Sequence, residues 1–180
     1  MWISGKLADT YELDEMFWFI EKKALTETRE NVYLMTMISR EPRQIISFDV
    51  QMDKKSFRLQ GVADNAPWAK KYCTDGNLTY LDVVFPGQHI RNAHDKRDTH
   101  NVESINADLR HYIPVLARRS RCFCRKLETL QTVVAVFVDA YNKFGEAKLM
   151  CRVPVTHKSQ NHAKHLHNFR EVGFSVLDFL

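Results

Sequence analysis

The chain has 180 residues, 44% hydrophobic and 27% charged, the composition of a soluble globular protein long enough for one domain with a sizeable core. Twenty-six Lys and Arg against 22 Asp and Glu leave a net charge of +4 and a pI near 8.9, compatible with a polyanionic partner without demanding one. No apolar run approaches the ~20 residues of a membrane span, and the opening MWISGKLADTYELDE lacks the basic-then-apolar order of a signal peptide, so a cytoplasmic location with no membrane partner is expected.

Residues 11–22, YELDEMFWFIEK, are rich in aromatic and β-compatible residues and predict a first strand, followed by a polar turn over 26–30. NVYLMTMIS from Asn31 predicts a second strand, broken by Glu41-Pro42, and QIISFDVQ from Gln44 a third, giving a three-strand antiparallel meander. Residues 54–63 have helical composition and end near Asn65-Ala66-Pro67; KKYCTDG then reads as a short buried strand stopped by Gly76. NLTYLDVVF predicts a short helix, and 89–93 a weak strand.

The clearest periodicity lies in 99–125, where Val102, Ile105, Leu109, Tyr112 and Leu116 step by three and four as a core-facing helical stripe does. Asp98 or Thr99 suits its N-cap, and Pro114 should kink or break it. A second helix is expected over 127–144, stopped by Gly145; being apolar almost all round, it should pack between other elements. Residues 146–180 predict a loosely structured tail whose apolar end, GFSVLDFL, docks. The domain division is thus a lead-in over 1–10, a folded domain over 11–145 and a tail over 146–180. The order of elements is mixed α/β, an antiparallel start with a parallel continuation, and suits a ribonuclease H-like mixed sheet flanked by helices.

Cutting or joining a phosphodiester calls for two divalent ions about 3.5–4 Å apart, and so for carboxylates converging from different elements. Asp14 lies mid-strand between apolar neighbours, where a charge is costly unless a cation meets it. Asp75 precedes Gly76 at a strand end, where strands open toward ligand crevices. Glu103 falls in the first turns of the 99–125 helix. At ~100° per residue, Arg110 lies within about 20° of Glu103, and His100 and Asn106 about 60° to either side, so one face carries all four. Continued past the proline, that face reaches Arg121. Each residue alone has a plainer reading: a solvated Glu on a polar face, an Asp in a turn, and Glu12 and Glu15 as signs that the first strand tolerates acids.

RRSRCFCRK, 118–126, carries Arg118, Arg119, Arg121, Arg125 and Lys126 without an acid, and could neutralise several phosphates or be an exposed basic face. His162, His165 and His167, with His157 upstream, lack helical i, i+4 spacing and a partner Cys pair, which argues against zinc. Cys73, Cys122, Cys124 and Cys151 form no paired CxxC framework and read as free thiols. The sequon Asn77-Leu78-Thr79 carries no meaning without a secretory signal. Phe17, Trp18 and Phe19 read as core residues rather than base-stacking ones.

Three blocks, ELDEMFWFIEKK (12–23), YCTDGNLTY (72–80) and HNVESINADLRHYIPVLARRSRCFCRKLETL (100–130), together resemble the catalytic region of transposases of the insertion-sequence-one family, a branch of the DDE transposases. They stand in the family's order, and with the elements between them the resemblance covers about 11–144. It implies a ribonuclease H-like fold with Asp14, Asp75 and Glu103 holding two Mg2+ or Mn2+ ions, Arg110 as the basic residue seven positions after the Glu, and His100 as the polar residue before it. It also implies cleavage at transposon ends and attack of the freed 3′ hydroxyl on target DNA, by a homo-oligomer on DNA in a prokaryotic, nucleoid-associated setting. Asn77 stands where the family commonly has an aromatic residue. The chain begins only about a dozen residues before Asp14, without the zinc-binding and helix-turn-helix region of full-length relatives, so the expectation is a catalytic part alone, working with a separate or fused N-terminal recognition protein. Two other readings stand beside it: a silent remnant that binds DNA or inhibits the full transposase, and a ribonuclease H-like nuclease without strand transfer.

Overall fold

A computed structural model describes residues 8–21, 29–92, 98–116 and 124–150. Strand β1 (Ala8–Glu21) pairs antiparallel with β2 (Arg29–Ser39) along a long hairpin whose register sets Tyr11 opposite Ser39 and Glu21 opposite Arg29. β2 pairs antiparallel with β3 (Gln44–Gln51), the turn between them containing a cis Glu41-Pro42 peptide. On the other side of β1 the sheet turns parallel: β4 (Ala69–Asp75) runs beside β1, and β5 (Gln88–Asn92) beside β4. The five strands lie in the order β3-β2-β1-β4-β5. The chain is therefore α/β, with a mixed five-stranded sheet flanked by helices.

The alternation of β1 divides the core. Tyr11 and Leu13 point to the face covered by helix α1 (Ser56–Asp64), where they join Met35, Met37, Leu59, Val62, Tyr72 and Tyr80. Met16 and Ile20 point to the opposite face, packing with Val32, Leu34 and Ile38 against helices α2 (His100–Tyr112) and α3 (Leu127–Met150). Ile105 and Leu109 of the α2 stripe are buried there, each contributing about 1.5–3 kcal/mol of transfer free energy. Glu12 and Asp14 occupy even positions of β1 and so share the face of α2.

β3 is an edge strand, and α3 covers its outward backbone. Asn142 receives the Ile45 N–H (2.9 Å) and donates to the Ile45 carbonyl (2.8 Å), while Gln131 donates to the Val50 carbonyl (2.9 Å). Two side-chain amides thus stand in for a missing neighbour strand. Before β5, Gly87 passes so close to β4 that a Cβ would lie 2.3 Å from the Ala69 carbonyl oxygen.

The break expected at Pro114 is present: α2 ends at Tyr112, Ile113 is extended (φ −100°, ψ 103°), and Pro114–Leu116 form a single 3-10 turn. The residue before a proline is disfavoured in the α region, and here that restriction ends the helix. Other expectations need correction. α3 runs through Gly145 to Met150 rather than stopping there, because one glycine costs a helix only about 1 kcal/mol and Glu146, Ala147, Lys148 and Leu149 are good helix formers. Nor is α3 packed on all sides: Leu130, Val134, Phe137 and Val138 are buried on the sheet while Val136 and Phe144 are exposed. NLTYLDVVF forms only a 3-10 turn over Leu78–Asp82, capped by Asn77, whose Oδ1 accepts from the Thr79 N–H. Residues 151–180, including the expected docking end and His157, His162, His165 and His167, lie outside the described residues, as do Cys122 and Cys151. Among the described residues no helix is long and apolar enough to cross a membrane.

Candidate functional site

β1 and β4 part company at one place. Their parallel pairing ends at Leu13 with Thr74, β4 stops at Asp75, and β1 continues with β2 alone. Asp14 and Asp75 flank that fork, and Glu15 joins them: one carboxylate oxygen from each of the three lies within 4.8 Å of the others. Asp14 and Glu15 alternate to opposite faces, but with β4 gone the Glu15 carboxylate meets Asp75 from the α1 side. The carboxyl end of a parallel strand is where open α/β sheets present ligand sites.

The carboxylates are short of donors. Asp14 accepts from the Glu15 N–H (2.8 Å) and from the Asn106 amide of α2 (3.0 Å). Burial pushes its pKa up to about 6, with the charges of Asp75 and Glu103 pushing the same way and the two hydrogen bonds opposing. Burial likewise raises Glu15, with Lys54 and a hydrogen bond from the Tyr80 hydroxyl opposing and Asp75 and Asp14 adding to the rise. Its Oε1 is buried without a well-formed hydrogen bond among the described residues, Tyr80 being the donor that acts on this carboxylate. Tyr80 is buried beneath; its hydroxyl lies 3.5 Å from the Leu13 carbonyl, and burial together with the Glu15, Asp14 and Asp75 charges holds its pKa well above the usual phenol value. Asp75 accepts from the Asn77 N–H (2.9 Å), so the residue that caps the 3-10 turn also fixes the second aspartate. Asn77 thus has a local structural use.

α2 is held over the fork by Glu12. This side chain is fully buried, and its oxygens accept from Arg40 Nε (2.7 Å), Asn101 Nδ2 (2.8 Å) and the Val102 N–H at the start of α2 (2.8 Å). Arg40 also donates to the Asp98 carbonyl (2.9 Å) and approaches the Cys73 sulfur (3.8 Å). Thr99 occupies the N-cap position without a side-chain cap bond, so a strand glutamate does the work expected of Asp98 or Thr99. The result is that the first turns of α2, with Glu103 and Asn106 one turn apart, lie over β1.

The expected site residues fall into three groups. Asp14 and Asp75 come together, and Glu103 acts on Asp14 through its charge from α2. His100 is exposed at the first residue of α2 and Arg110 half-buried in its last turn. Arg125 and Lys126 are exposed just before α3, while Arg118, Arg119 and Arg121 lie outside the described residues. Glu15 and Glu12 read in the sequence only as acids that the strand tolerates; Glu15 carries a local signal in its place next to Asp14, and Glu12 carries none short of the fold.

The donor set fits a hard divalent cation: three carboxylates, one with a buried oxygen that lacks a well-formed hydrogen bond, and no amine or guanidinium bonded to Asp14 or Asp75 among the described residues. Neither a protein-family model nor a curated protein matches the chain. What the site can do is read from its own chemistry.

Proposed function

We propose that the chain is the catalytic domain of a DDE transposase with a ribonuclease H-like fold, cutting and joining DNA with two Mg2+ or Mn2+ ions. The observation that carries this reading is the meeting of Asp14 and Asp75 at the β1–β4 fork, with the charge of Glu103 acting on Asp14 from the helix above. Asp14, Asp75 and Glu103 are the residues that would hold the ions, with Glu15 close enough to add an oxygen. Ions bound there would supply Lewis-acid stabilisation of the attacking and leaving oxygens of an in-line displacement. Asn106 orients Asp14, and Glu12 fixes the first turn of α2, which carries Glu103. His100 and Arg110 flank Glu103 on α2, where Arg110 can meet a phosphate; Arg125 and Lys126, with Arg118, Arg119 and Arg121, add positive charge for the DNA backbone. A homo-oligomer on transposon ends and target DNA, working with a separate or fused zinc-finger and helix-turn-helix protein, completes the proposal.

The test is metal-dependent cleavage and joining. The full chain should nick plasmid or end-bearing DNA in Mn2+ and yield joined products, and Asp75→Asn should abolish both. Cleavage that survives Asp75→Asn removes the site assignment, and nicking without joined products leaves a nuclease. A chain that binds DNA but never cuts it is the silent remnant.

A further inference from the structure

Beyond the fork the β1–β2 hairpin projects without β4 beside it, and its α1-side face carries an aromatic pair. Phe17 and Tyr33 are directly opposed across the hairpin, with Gln51 next in the row on β3. Phe17 is 52% exposed, and its ring meets Tyr33 edge-on at 5.7 Å between centroids and 62° between planes. Lys54 places its ammonium 5.8 Å from the Tyr33 ring centroid. The expectation that Phe17 belongs to the core is thus corrected: Trp18, its neighbour on the other face, packs against the core, while Phe17 keeps half its surface in water. This surface is continuous with the carboxylates, since Glu15 lies two residues before Phe17 on the same face and feels the Lys54 charge.

We infer that Phe17, Tyr33 and Lys54 form a platform for an unpaired DNA strand leaving the carboxylate site, with a base stacking on Phe17 and a backbone phosphate meeting Lys54. The inference rests on the reading of that site as a DNA-cutting centre. An exposed ring braced by a second ring and flanked by a cation is the chemistry that single-stranded nucleic acid uses, because every base has a stacking face and every nucleotide a phosphate. Charge agrees: within residues 53–58 Lys54, Lys55 and Arg58 outnumber Asp53, and Lys55 is exposed. Phe17 stands three residues beyond Asp14 on β1, roughly 10 Å along the strand.

The experiment titrates the full chain, in Ca2+ buffer, into a fluorescein-labelled single-stranded DNA oligonucleotide carrying 2-aminopurine. Phe17→Ala should weaken binding by about tenfold or more and abolish the 2-aminopurine emission change, with Phe17→Trp restoring both. Lys54→Gln should weaken binding less and lower the salt slope by about one. Absence of binding by the native chain, or equal binding by Phe17→Ala, overturns the platform. So does a Phe17→Ala change that alters self-association in sedimentation but not oligonucleotide affinity, which would make the ring a contact between copies. Mn2+ binding, followed by electron paramagnetic resonance on the same samples, separates the two proposals: normal Mn2+ binding with Phe17-independent oligonucleotide binding fails the platform alone, and Phe17-dependent binding without Mn2+ binding fails the catalytic reading alone.

Discussion

Glu12 and Asp14 stand two residues apart on β1, face the same helix, and live in opposite surroundings. Glu12, wholly buried, has a guanidinium, an amide and a backbone N–H on its two oxygens. Asp14 has one amide and its neighbour's N–H, with the charges of two further carboxylates, Asp75 and Glu103, acting on it. A buried carboxylate matched by a cation and by donors holds a structure together, whereas one short of donors is stabilised only when something positive arrives. The same strand therefore carries an anchor and a carboxylate short of partners, and the two should respond to neutralisation with opposite signs.

The largest effect expected is at the anchor. Glu12→Gln keeps the shape but sets an amide N–H2 against donors, so it should cost about 3–5 kcal/mol in chemical denaturation, the loss typical of breaking a buried pair from one side. Asn101→Ala, which removes one of the three bonds, should cost about 1 kcal/mol. A Glu12→Gln protein as stable as the native one would end the distinction between the two acids.

That distinction was only half legible in the sequence. β3, the second strand and the α2 stripe follow from alternation and 3.6-residue spacing, because both patterns are local. Asp14 and Asp75 stood out for local reasons too, a charge in an apolar strand and an Asp before Gly at a strand end. Glu12 did not, because its meaning comes from Arg40, 28 residues on, and from Asn101 and Val102, 89 and 90 residues on. Glu15 joins the cluster only because β4 ends where it does, whereas the end of α2 at Tyr112 was legible in Pro114.

At the other carboxylate, the sharpest test is a cation. With Mn2+ at about a hundredfold over its dissociation constant, the native chain should gain about 2.7 kcal/mol, read as a rise in melting temperature, and Asp14→Asn should lose most of that gain. In chelator at pH 7 the same Asp14→Asn substitution should stabilise the protein, by about 1–2 kcal/mol, because it removes a buried charge that has too few partners. The gain should depend on pH. With its folded pKa raised to about 6 against about 3.9 in the unfolded chain, Asp14 holds its proton more tightly when folded, so native stability falls as pH rises through that window. The advantage of Asp14→Asn over the native chain should therefore be present at pH 7 and fade toward pH 4, measured as urea midpoints at each pH. An advantage that is flat in pH would assign the change to packing.

The smallest effect expected is at Asn106, which joins the Asp14 carboxylate to α2. Its amide donates to Asp14 (3.0 Å), but its own Oδ1 is buried with no hydrogen-bond partner among the described residues. Asn106→Ala loses a bond to a charged acceptor and at the same time removes an unsatisfied oxygen, so the two partly cancel and the net loss at pH 7 should be about 1 kcal/mol. Losing the donor disfavours the charged form of Asp14, which should move its titration upward from about 6, and the cost of the substitution should shrink below that pH, where Asp14 is already neutral. In an Asp14→Asn background the pH dependence of the Asn106→Ala cost should disappear, and that double-mutant cycle isolates the contact itself. If the cost of Asn106→Ala is the same at pH 4 and pH 7, Asn106 holds α2 in place without tuning the carboxylate, and its contact is then structural like the one at Glu12.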